Sequence, residues 1–570
     1  MVNVKNLFGM AVMATALVGC SSSDDLTPNG NEGNQTGAAY ASFRINLPTT
    51  SGTRADAEGT PSFENGDKNE YAVNDATLLL FQKNASGDFI FKEAVDLGNM
   101  EPWTASGTKD ITTTAKLTAK ITKAEVGANK GYYALIVLNN NSKTAAKITY
   151  PSVDQTYSDW SQNEANATAD YSKYDNGFFM ANAPKFVAGA PETLVEIKNI
   201  YASKQQAENS TATTVYVERG LAKVSLASTS AKHVDIADGN YAGDQVDIEG
   251  WTLDVTNTKT YPVHVTEGLW ADTWKTTTTP AATNGASMDR FHETRSTAEF
   301  PRVYWGLDPN YSTNFASVAD CEGEFTMATK ANFKTGEEAK KAQYCLENTF
   351  DIEHMVQGQT TRVLFSAKYT PANFADGETF YKFGNSPKLW HAADVEAQIK
   401  AKAQEVLGEA DADKVTVTLA AEGNDMTKSG VRLVAAANIT YGTTALTTEQ
   451  VDRINAKLGF KKATTTDAAV GLSTYESGVS YYVARVKHFN ELTPWTPGDK
   501  TYDGNNANWL GRYGVLRNNW YELSVSSVSG PGYPDVPEVK PTVPDDENDQ
   551  YINVEVKILS WAKRSQSIVL

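Results

Sequence analysis

The stretch Ala41–Leu47, which reads ASFRINL, decides how the first sheet of this chain is expected to form. Its apolar residues alternate strictly with polar ones and are Ala41, Phe43, Ile45 and Leu47. Because successive side chains of a strand point to opposite faces, this period of two predicts a half-buried β-strand. The next loop, 48–56, contains Arg54. A cut after that residue would separate the strand from the rest of the chain.

A second pattern of the same kind lies near the C-terminus. Its apolar residues are Ile552, Val554, Val556 and Ile558. The prolines of 530–544 precede this strand and predict a stiff, extended arm. An apolar strand on such an arm is costly to expose, because its unpaired edge invites pairing. It is therefore expected either to complete its own domain or to pair with another copy of the chain.

Strand patterns also dominate the body of the chain. They cover 76–81, 132–138, 215–226, 362–369, 481–486 and 520–528. Two helices stand out, Ala392–Leu407 and Thr447–Leu458, and in the second Thr447 and Gln450 are spaced as a capping box. Each helix carries an apolar stripe that is expected to face a core. The sequence thus predicts a mainly β protein built from β-sandwich domains with a few short helices.

The length of the chain predicts more than one domain. At 570 residues it is too long for a single hydrophobic core. The stretch 207–214 is polar and poor in strand formers, so the boundary is placed there. The predicted units are a signal peptide at 1–20, a propeptide at 21–54, an N-terminal domain at 55–214, a C-terminal domain at 215–530 and an arm with terminal strands at 531–570.

The N-terminus has the features of an export signal. An apolar run, Leu7–Val18, is followed closely by Cys20. The run is too short to span a bilayer, so it predicts a signal peptide. The small residue before Cys20 resembles the lipobox of bacterial lipoproteins, in which the cysteine carries acyl chains that anchor the precursor to the outer membrane. A plain secretory signal with an incidental cysteine is the alternative.

Composition argues against several classes of function. The formal net charge of -18 disfavours nucleic acid as a partner, because phosphate binding needs clustered Lys and Arg. The six histidines are scattered, and neither HExxH, GxSxG nor GxxxxGK occurs, so no catalytic residue, metal or cofactor is predicted. Apart from Cys20, only Cys321 and Cys345 are present, and they form either a disulfide or a pair of buried thiols.

Several segments, in their order along the chain, resemble the fimbrillins, the subunits of the protease-assembled (type V) pili of Bacteroidia. These segments are Phe178–Asn182 (FFMAN), Val215–Val224 (VYVERGLAKV), Tyr344–Thr349 (YCLENT), Tyr481–Val483 (YYV) and Gly514–Leu523 (GVLRNNWYEL). The similarity is greatest to the major shaft subunits of short fimbriae. It implies two transthyretin-like β-sandwich domains and a C-terminal donor-strand arm.

The resemblance also implies a route of assembly. A lipidated precursor would reach the cell surface, and an Arg-specific protease would cut between Arg54 and Ala55 to release the strand that contains Phe43, Ile45 and Leu47. A terminal strand of another copy would then take its place, which yields a head-to-tail homopolymer with accessory anchor and tip subunits. The donor residues are expected in 551–559 or 565–570. They are Ile552, Val554, Val556, Ile558, Ile568, Val569 and Leu570.

The function that the resemblance implies is that of a fimbrial shaft subunit at the cell surface that supports adhesion. The alternatives are a lipid-anchored binding protein that never polymerises, or an accessory anchor or tip subunit. An enzyme is disfavoured, because no catalytic motif is present.

Overall fold

The computed structural model describes most of the body of the chain. The described residues are 38–48, 70, 72–98, 104–105, 111–140, 146–168, 171, 177–266, 291–292, 300–311, 315–350, 354–408, 412–419, 424–425, 431–435, 438–462, 470–488, 511–545 and 552–560. Cys20, Arg54, Ala55, Ile568, Val569 and Leu570 lie outside these residues.

Strands account for most of the regular structure. In the N-terminal part they are β1 (Ala39–Pro48), β2 (Ala76–Lys83), β3 (Phe89–Gly98), β4 (Thr104–Ala105), β5 (Ile111–Ile121), β6 (Gly127–Ala128), β7 (Tyr132–Leu138), β8 (Met180–Asn182), β9 (Lys185–Val187), β10 (Ala190–Glu192), β11 (Val195–Glu196), β12 (Asn199–Ile200) and β13 (Thr213–Arg219). In the C-terminal part they are β14 (Leu221–Leu226), β15 (His233–Asp235), β16 (Gln245–Asp254), β17 (Thr256–Asn257), β18 (Phe325–Thr326), β19 (Lys334–Thr335), β20 (Gln343–Leu346), β21 (Arg362–Thr370), β22 (Phe380–Phe383), β23 (Leu389–Trp390), β24 (Val415–Val417), β25 (Asn424–Asp425), β26 (Val431–Leu433), β27 (Ile439–Tyr441), β28 (Thr444–Ala445), β29 (Leu472–Tyr475), β30 (Val479–Arg485), β31 (Asn519–Val528) and β32 (Ile552–Ser560).

The helices are short, with one exception. The α-helices are α1 (Tyr157–Ser161), α2 (Lys204–Asn209), α3 (Val318–Glu324), α4 (Ala392–Leu407) and α5 (Thr448–Lys457). Single 3-10 turns occur at Glu164–Asn166, Gly239–Tyr241, Lys330–Asn332, Glu338–Lys340, Gln357–Gln359, Ala412–Lys414 and Glu476–Gly478. The prediction of a mainly β fold with a few short helices is confirmed.

The first core lies beneath a nine-stranded sheet. The order along this sheet is β3-β2-β7-β8-β13-β1-β5-β4, and β11 pairs with β7. Strands β2 and β7 are almost continuously apolar, with Leu79 and Leu135 fully buried. Such runs are typical of strands that are covered on both faces. In the strand order, β1 stands between β13 and β5, so it lies in the interior of the sheet rather than at its edge.

A second core lies between two further sheets. One has the order β20-β14-β31-β32, and the other contains β15-β16-β21-β30. Val215, Val217 and Leu221 pack in the first core, and Ala222 and Val224 pack in the second. The change of core thus falls a few residues after the predicted boundary at 215. At this crossing a Cβ on Gly220 would lie 2.7 Å from the Tyr171 ring, so the two chain segments pack closely.

A third core is formed by residues of the chain segment that connects β21 to β30, and the sequence did not predict it as a separate unit. Helices α4 and α5 pack there with short strands around Val395, Ile399, Val451 and Ile454, all buried. Both predicted helices are confirmed, and their apolar stripes face this core. Helix α5 begins with the predicted capping box, since the Gln450 amide donates to Thr447 Oγ1 at 3.3 Å and the Thr447 amide donates to Gln450 Oε1 at 2.9 Å.

The cysteines Cys321 and Cys345 are both buried, and neither forms a disulfide. Cys321, on helix α3, packs in a small cluster with Phe315 and Phe325, whereas Cys345, on β20, belongs to the second core. Of the two alternatives that the sequence left open, the disulfide is therefore wrong and the pair of buried thiols is confirmed. Among the helices that the structure describes, none is long and apolar enough to cross a lipid bilayer.

Candidate functional site

Strand β1 is held along both of its edges. It pairs in parallel with β13, from Phe43 opposite Thr213 to Asn46 opposite Tyr216. On the other edge it pairs antiparallel with β5 over almost its whole length. The Tyr40 amide also donates to the Tyr201 carbonyl at 2.8 Å, and the Tyr201 amide donates back. If β1 were removed, unpaired backbone groups would line both walls of the opening.

The apolar face of β1 is completely enclosed. Ala39, Ala41, Phe43, Ile45 and Leu47 are each no more than 2% exposed. This confirms that the predicted alternating face points into a core. Burial of one large apolar side chain contributes roughly 1.5–3 kcal/mol, so the strand supplies a substantial part of the first core.

The other face of β1 is partly covered by polar contacts. The Ser42 and Thr118 hydroxyls lie 2.7 Å apart, and Thr114 Oγ1 donates to Asn46 Oδ1 at 2.7 Å. Arg44, between them, is exposed. Because Arg44 lies inside a strand that is paired along both edges, we expect it to be a poor site for proteolysis.

The terminal strand β32 pairs within its own chain. It runs antiparallel to β31, from Ile552 opposite Val528 to Ser560 opposite Asn519. It occupies the end of its sheet, so within the described residues it has a strand neighbour on one side only. Of the two expectations for this strand, the monomer adopts the one in which it completes its own domain.

The proline-rich arm does not project from the molecule. Gly530–Asp545 lies along the second domain and contacts it from end to end, with Val539 and Asp545 buried. The sequence predicts a stiff, extended arm, and the structure adds that this arm lies against its own domain over these residues. Proline spacing reports the stiffness of a segment, but it does not report what the segment packs against.

A buried ionic network, which sequence reasoning missed, joins the first and second cores. Glu218, at the end of β13, accepts hydrogen bonds from Arg302 Nη2 at 2.6 Å and Nε at 3.0 Å, and its other oxygen lies 2.5 Å from His264 Nδ1. Arg302 Nη2 also donates to the Arg517 carbonyl at 3.1 Å. Arg517 in turn forms an ion pair with Glu347 on β20.

The neighbouring residue, Arg219, extends the network in the opposite direction. Its Nε donates to the Glu70 carbonyl at 2.7 Å, and its Nη1 donates to Asn518 Oδ1 at 3.1 Å. The Glu70 carboxylate lies 2.6 Å from Lys223 Nζ and accepts from the Tyr344 hydroxyl at 2.6 Å. Three of the fimbrillin-like segments, which begin at Val215, Tyr344 and Gly514, therefore meet at one place.

The network holds Glu218 in its charged form. Burial raises the pKa of this carboxyl, but Arg302 and His264 outweigh burial and lower the pKa to about 2. On the cation side, burial lowers the pKa of Arg219 to about 10, although Glu70 opposes that effect. The loss of one partner from such a buried network is costly, because it leaves an uncompensated charge away from water.

This charge predicts an acid-dependent contribution of Glu218 to stability. Because its folded pKa lies below the ordinary 4.5, the contribution is complete above pH 4.5 and is lost as the pH falls from 4.5 towards 2. We expect Glu218→Gln to destabilise the protein by about 3–5 kcal/mol at pH 7, and by less at pH 3. Urea unfolding of both proteins at the two pH values measures the difference.

The matched control for that experiment is Glu337→Gln, because Glu337 pairs with Lys340 on the surface. Surface pairs contribute little, so this variant should unfold like the wild type at both pH values. A cost of Glu218→Gln that is the same at pH 7 and pH 3 would contradict the assignment of a charged, buried Glu218.

Within the described residues, no group of three or more His, Cys, Asp or Glu side chains could hold a metal ion. The features that stand out are structural: an internal strand before a predicted cut, and a terminal strand at a sheet edge. Together they define a mainly β protein whose first and last strands are the candidates for exchange.

Comparison with known proteins finds a family match in the C-terminal part of the chain. Residues 473–567, which include β30, β31 and β32, match the family described as "Major fimbrial subunit protein type IV, Fimbrillin, C-terminal". This match confirms the predicted resemblance to fimbrillins over these residues. None of the curated proteins matches the sequence.

Two solved structures, both from Parabacteroides distasonis ATCC 8503, show distant likeness. A candidate cell adhesion protein is 12% identical, with a TM-score of 0.38, over 92% of this chain and 97% of that chain. A fimbrial assembly protein is 13% identical, with a TM-score of 0.24, over 62% of this chain and 96% of that chain. Scores this low establish neither a shared fold nor a shared function.

Proposed function

We propose that this chain is a shaft subunit of a surface fimbria that polymerises by donor-strand exchange after proteolysis. The observation that carries the proposal is the position of β1, an enclosed interior strand that directly precedes the predicted loop with Arg54. The two domains of the subunit would correspond to 55–214 and 215–530, as the sequence predicts. Adhesion to other cells or surfaces is the role that such a fimbria would serve.

The first step is a cut between Arg54 and Ala55. It would turn β1 from a covalent part of the first sheet into a separate peptide that can dissociate. The vacated position would expose the apolar groove around Phe43 and Ile45, with unpaired backbone groups of β5 and β13 on its walls. The exposed apolar surface and the unpaired polar groups both make an empty groove unfavourable, so a new occupant would stabilise it.

The second step is insertion of a terminal strand from another copy. Strand β32 is nine residues long and β1 is ten, so the lengths are similar. In its own subunit β32 pairs with one neighbour, whereas in the groove it would pair with both β5 and β13. The second ladder of hydrogen bonds, each contributing about 0.5–1.5 kcal/mol, would favour exchange over self-pairing.

The distribution of arginines supports an Arg-specific trigger. Among the described residues, Arg44 and Arg453 are exposed but lie within a paired strand and a helix, whereas six arginine side chains are buried: Arg219, Arg302, Arg362, Arg485, Arg512 and Arg517. Buried residues are cleaved only after local or global unfolding. A protease that selects arginine would therefore leave these bonds intact and could act on the loop at Arg54.

The precursor would reach the cell surface as a lipoprotein acylated on Cys20, anchored to the outer membrane until the cut releases it. Polymerisation is head to tail and does not close, so it gives a filament. Accessory anchor and tip subunits would end the polymer at either side. None of these partners requires an enzymatic activity of this chain.

One observation favours a second candidate function. Because β32 completes its own sheet, the chain could remain a monomeric, lipid-anchored surface protein or an accessory subunit. In that case neither β1 nor β32 would leave its place, and no ladder of oligomers would form.

Electron microscopy of purified protein that starts at Ala55 tests the two functions against each other. We expect filaments from this protein, but none from versions that end at Ser560 or at Asp545. Polymers from the version that ends at Ser560, but not from the one that ends at Asp545, would assign the donor to 551–559. If the version that ends at Ser560 forms no polymers, 565–570 are an essential part of the donor. If the complete protein from Ala55 stays monomeric, the shaft proposal fails.

A further inference from the structure

The start of the arm is clasped by three tyrosines of the second domain. The Tyr482 hydroxyl donates to the Gly530 carbonyl at 3.0 Å, and the Tyr475 hydroxyl donates to the Gly532 carbonyl at 3.0 Å. The backbone groups of Tyr481 and Tyr533 exchange two hydrogen bonds, both of 2.8 Å. This part of the arm is therefore bound through backbone groups as well as through side chains.

Gly532 allows the arm to lie close against the second domain. Its φ is +58°, and a Cβ there would lie 2.5 Å from the Tyr481 carbonyl oxygen and 2.7 Å from the Tyr482 ring. A side chain at this position would have to push the arm off the domain, because a backbone carbonyl cannot move aside at low cost.

The middle of the arm is tied to a buried ion pair. Arg362 Nη2 donates to the Pro537 carbonyl at 2.6 Å, while its Nε donates to Asp254 Oδ2 at 2.7 Å. Lys330 and Asp535 form a surface pair at 2.9 Å. Because Arg362 is only 2% exposed, its bond to the arm forms away from water and is stronger than a surface contact.

The end of the arm is fixed at Asp545. The Gln357 amide donates to the Val543 carbonyl at 2.9 Å, and the Asp545 amide donates to the Met355 carbonyl at 3.1 Å. The Thr360 hydroxyl donates to Asp545 Oδ2 at 3.2 Å. Asp545 is only 2% exposed, so the arm is anchored up to this residue.

From these contacts we infer that 530–545 is a fixed spacer and that the exchanging segment begins after Asp545. The inference deepens the proposed function and rests on it. Residues 546–570 could span at most about 80–90 Å when fully extended, which sets the reach of a donor strand. We call the residues that bind the arm, including Tyr475, Tyr482 and Arg362, the clasp. They are positioning residues that fix where and in which direction the donor leaves the subunit.

The clasp should affect the geometry of the filament more than its formation. Closure entropy depends only logarithmically on the length of a free segment, so freeing 530–545 would change the tendency to insert only slightly. A free spacer would, however, let neighbouring subunits tilt relative to one another. Loss of the clasp should therefore give filaments of normal amount but lower stiffness.

The test compares Gly532→Ala with the wild type, both as protein starting at Ala55. We expect at least a twofold shorter persistence length of the variant filaments in electron micrographs. In the unassembled protein, hydrogen exchange of the Tyr533 and Asp545 amides should be slow for the wild type and at least tenfold faster for the variant. Gly323→Ala is the matched control, because a Cβ at Gly323 meets nothing within 4 Å.

A second variant, Tyr475→Phe with Tyr482→Phe, removes the two hydroxyl donors and keeps both rings, and it should shift both measurements in the same direction. Fast exchange of 530–545 in the wild type, or unchanged exchange and stiffness in both variants, would overturn the inference. If even the wild type forms no filaments, the proposed function fails, while hydrogen exchange still decides whether the spacer is fixed.

Discussion

Substitution of Arg54 by alanine is expected to abolish filament formation, with at least a hundredfold fewer polymers than the wild type. The uncut chain would keep β1 between β5 and β13, so a donor strand would find its position occupied. Occupation by a covalently attached strand is favoured because its effective local concentration is high. The variant should remain a folded monomer, and unheated gels together with electron microscopy measure the loss of the oligomer ladder.

Arg54→Lys is the matched control for this prediction, because it preserves the positive charge of the loop. An Arg-specific protease should cut this variant poorly, so it too should accumulate as monomer. If a protease of broader basic specificity is responsible, Arg54→Lys should assemble normally while Arg54→Ala does not. Normal filaments from Arg54→Ala would contradict cleavage at this bond as the trigger.

The local parts of the fold were predictable from the sequence. Strand β1 follows from the alternation in Ala41–Leu47, and helix α5 follows from the capping pair Thr447 and Gln450. Both signals act between residues that are neighbours along the chain. Such patterns need no knowledge of what lies far away in the sequence.

The interior position of β1 could not be read in the same way. Its neighbour β13 begins at Thr213, and pairing over such a separation is encoded by the fit of whole surfaces rather than by a local motif. The same holds for the ionic network, in which Glu218 meets Arg302 and Arg517 meets Glu347. The charged pair Glu218-Arg219 within an otherwise apolar strand pattern was the available signal, since buried charges occur where partners exist.

The docked arm shows the same distinction. Its prolines correctly indicate a segment that does not join a sheet, but its attachment depends on Tyr475, Tyr482 and Arg362, which lie far upstream. In the monomer, β1 pairs with two neighbouring strands, whereas β32 pairs with one. The difference between two ladders and one gives exchange a direction, provided that β1 is first removed.

That asymmetry predicts that Phe43→Ala weakens the precursor but not the filament. Phe43 is fully buried in the first core, so its truncation should lower the free energy of unfolding of the uncut protein by about 3–5 kcal/mol. After cleavage and exchange the residue is absent from the polymer. Filaments from the variant should therefore resist guanidinium as well as wild-type filaments do, as measured by the concentration at which they dissociate.

Phe365→Ala supplies the contrast, because Phe365 is fully buried in the second core, which cleavage does not alter. It should weaken precursor and filament alike. Should Phe43→Ala prevent folding altogether, Ile45→Val removes only one methylene and should cost the precursor about 0.5–1.5 kcal/mol. Filaments that weaken together with the precursor in either β1 variant would mean that β1 stays in the polymer, and strand exchange at this position would then be excluded.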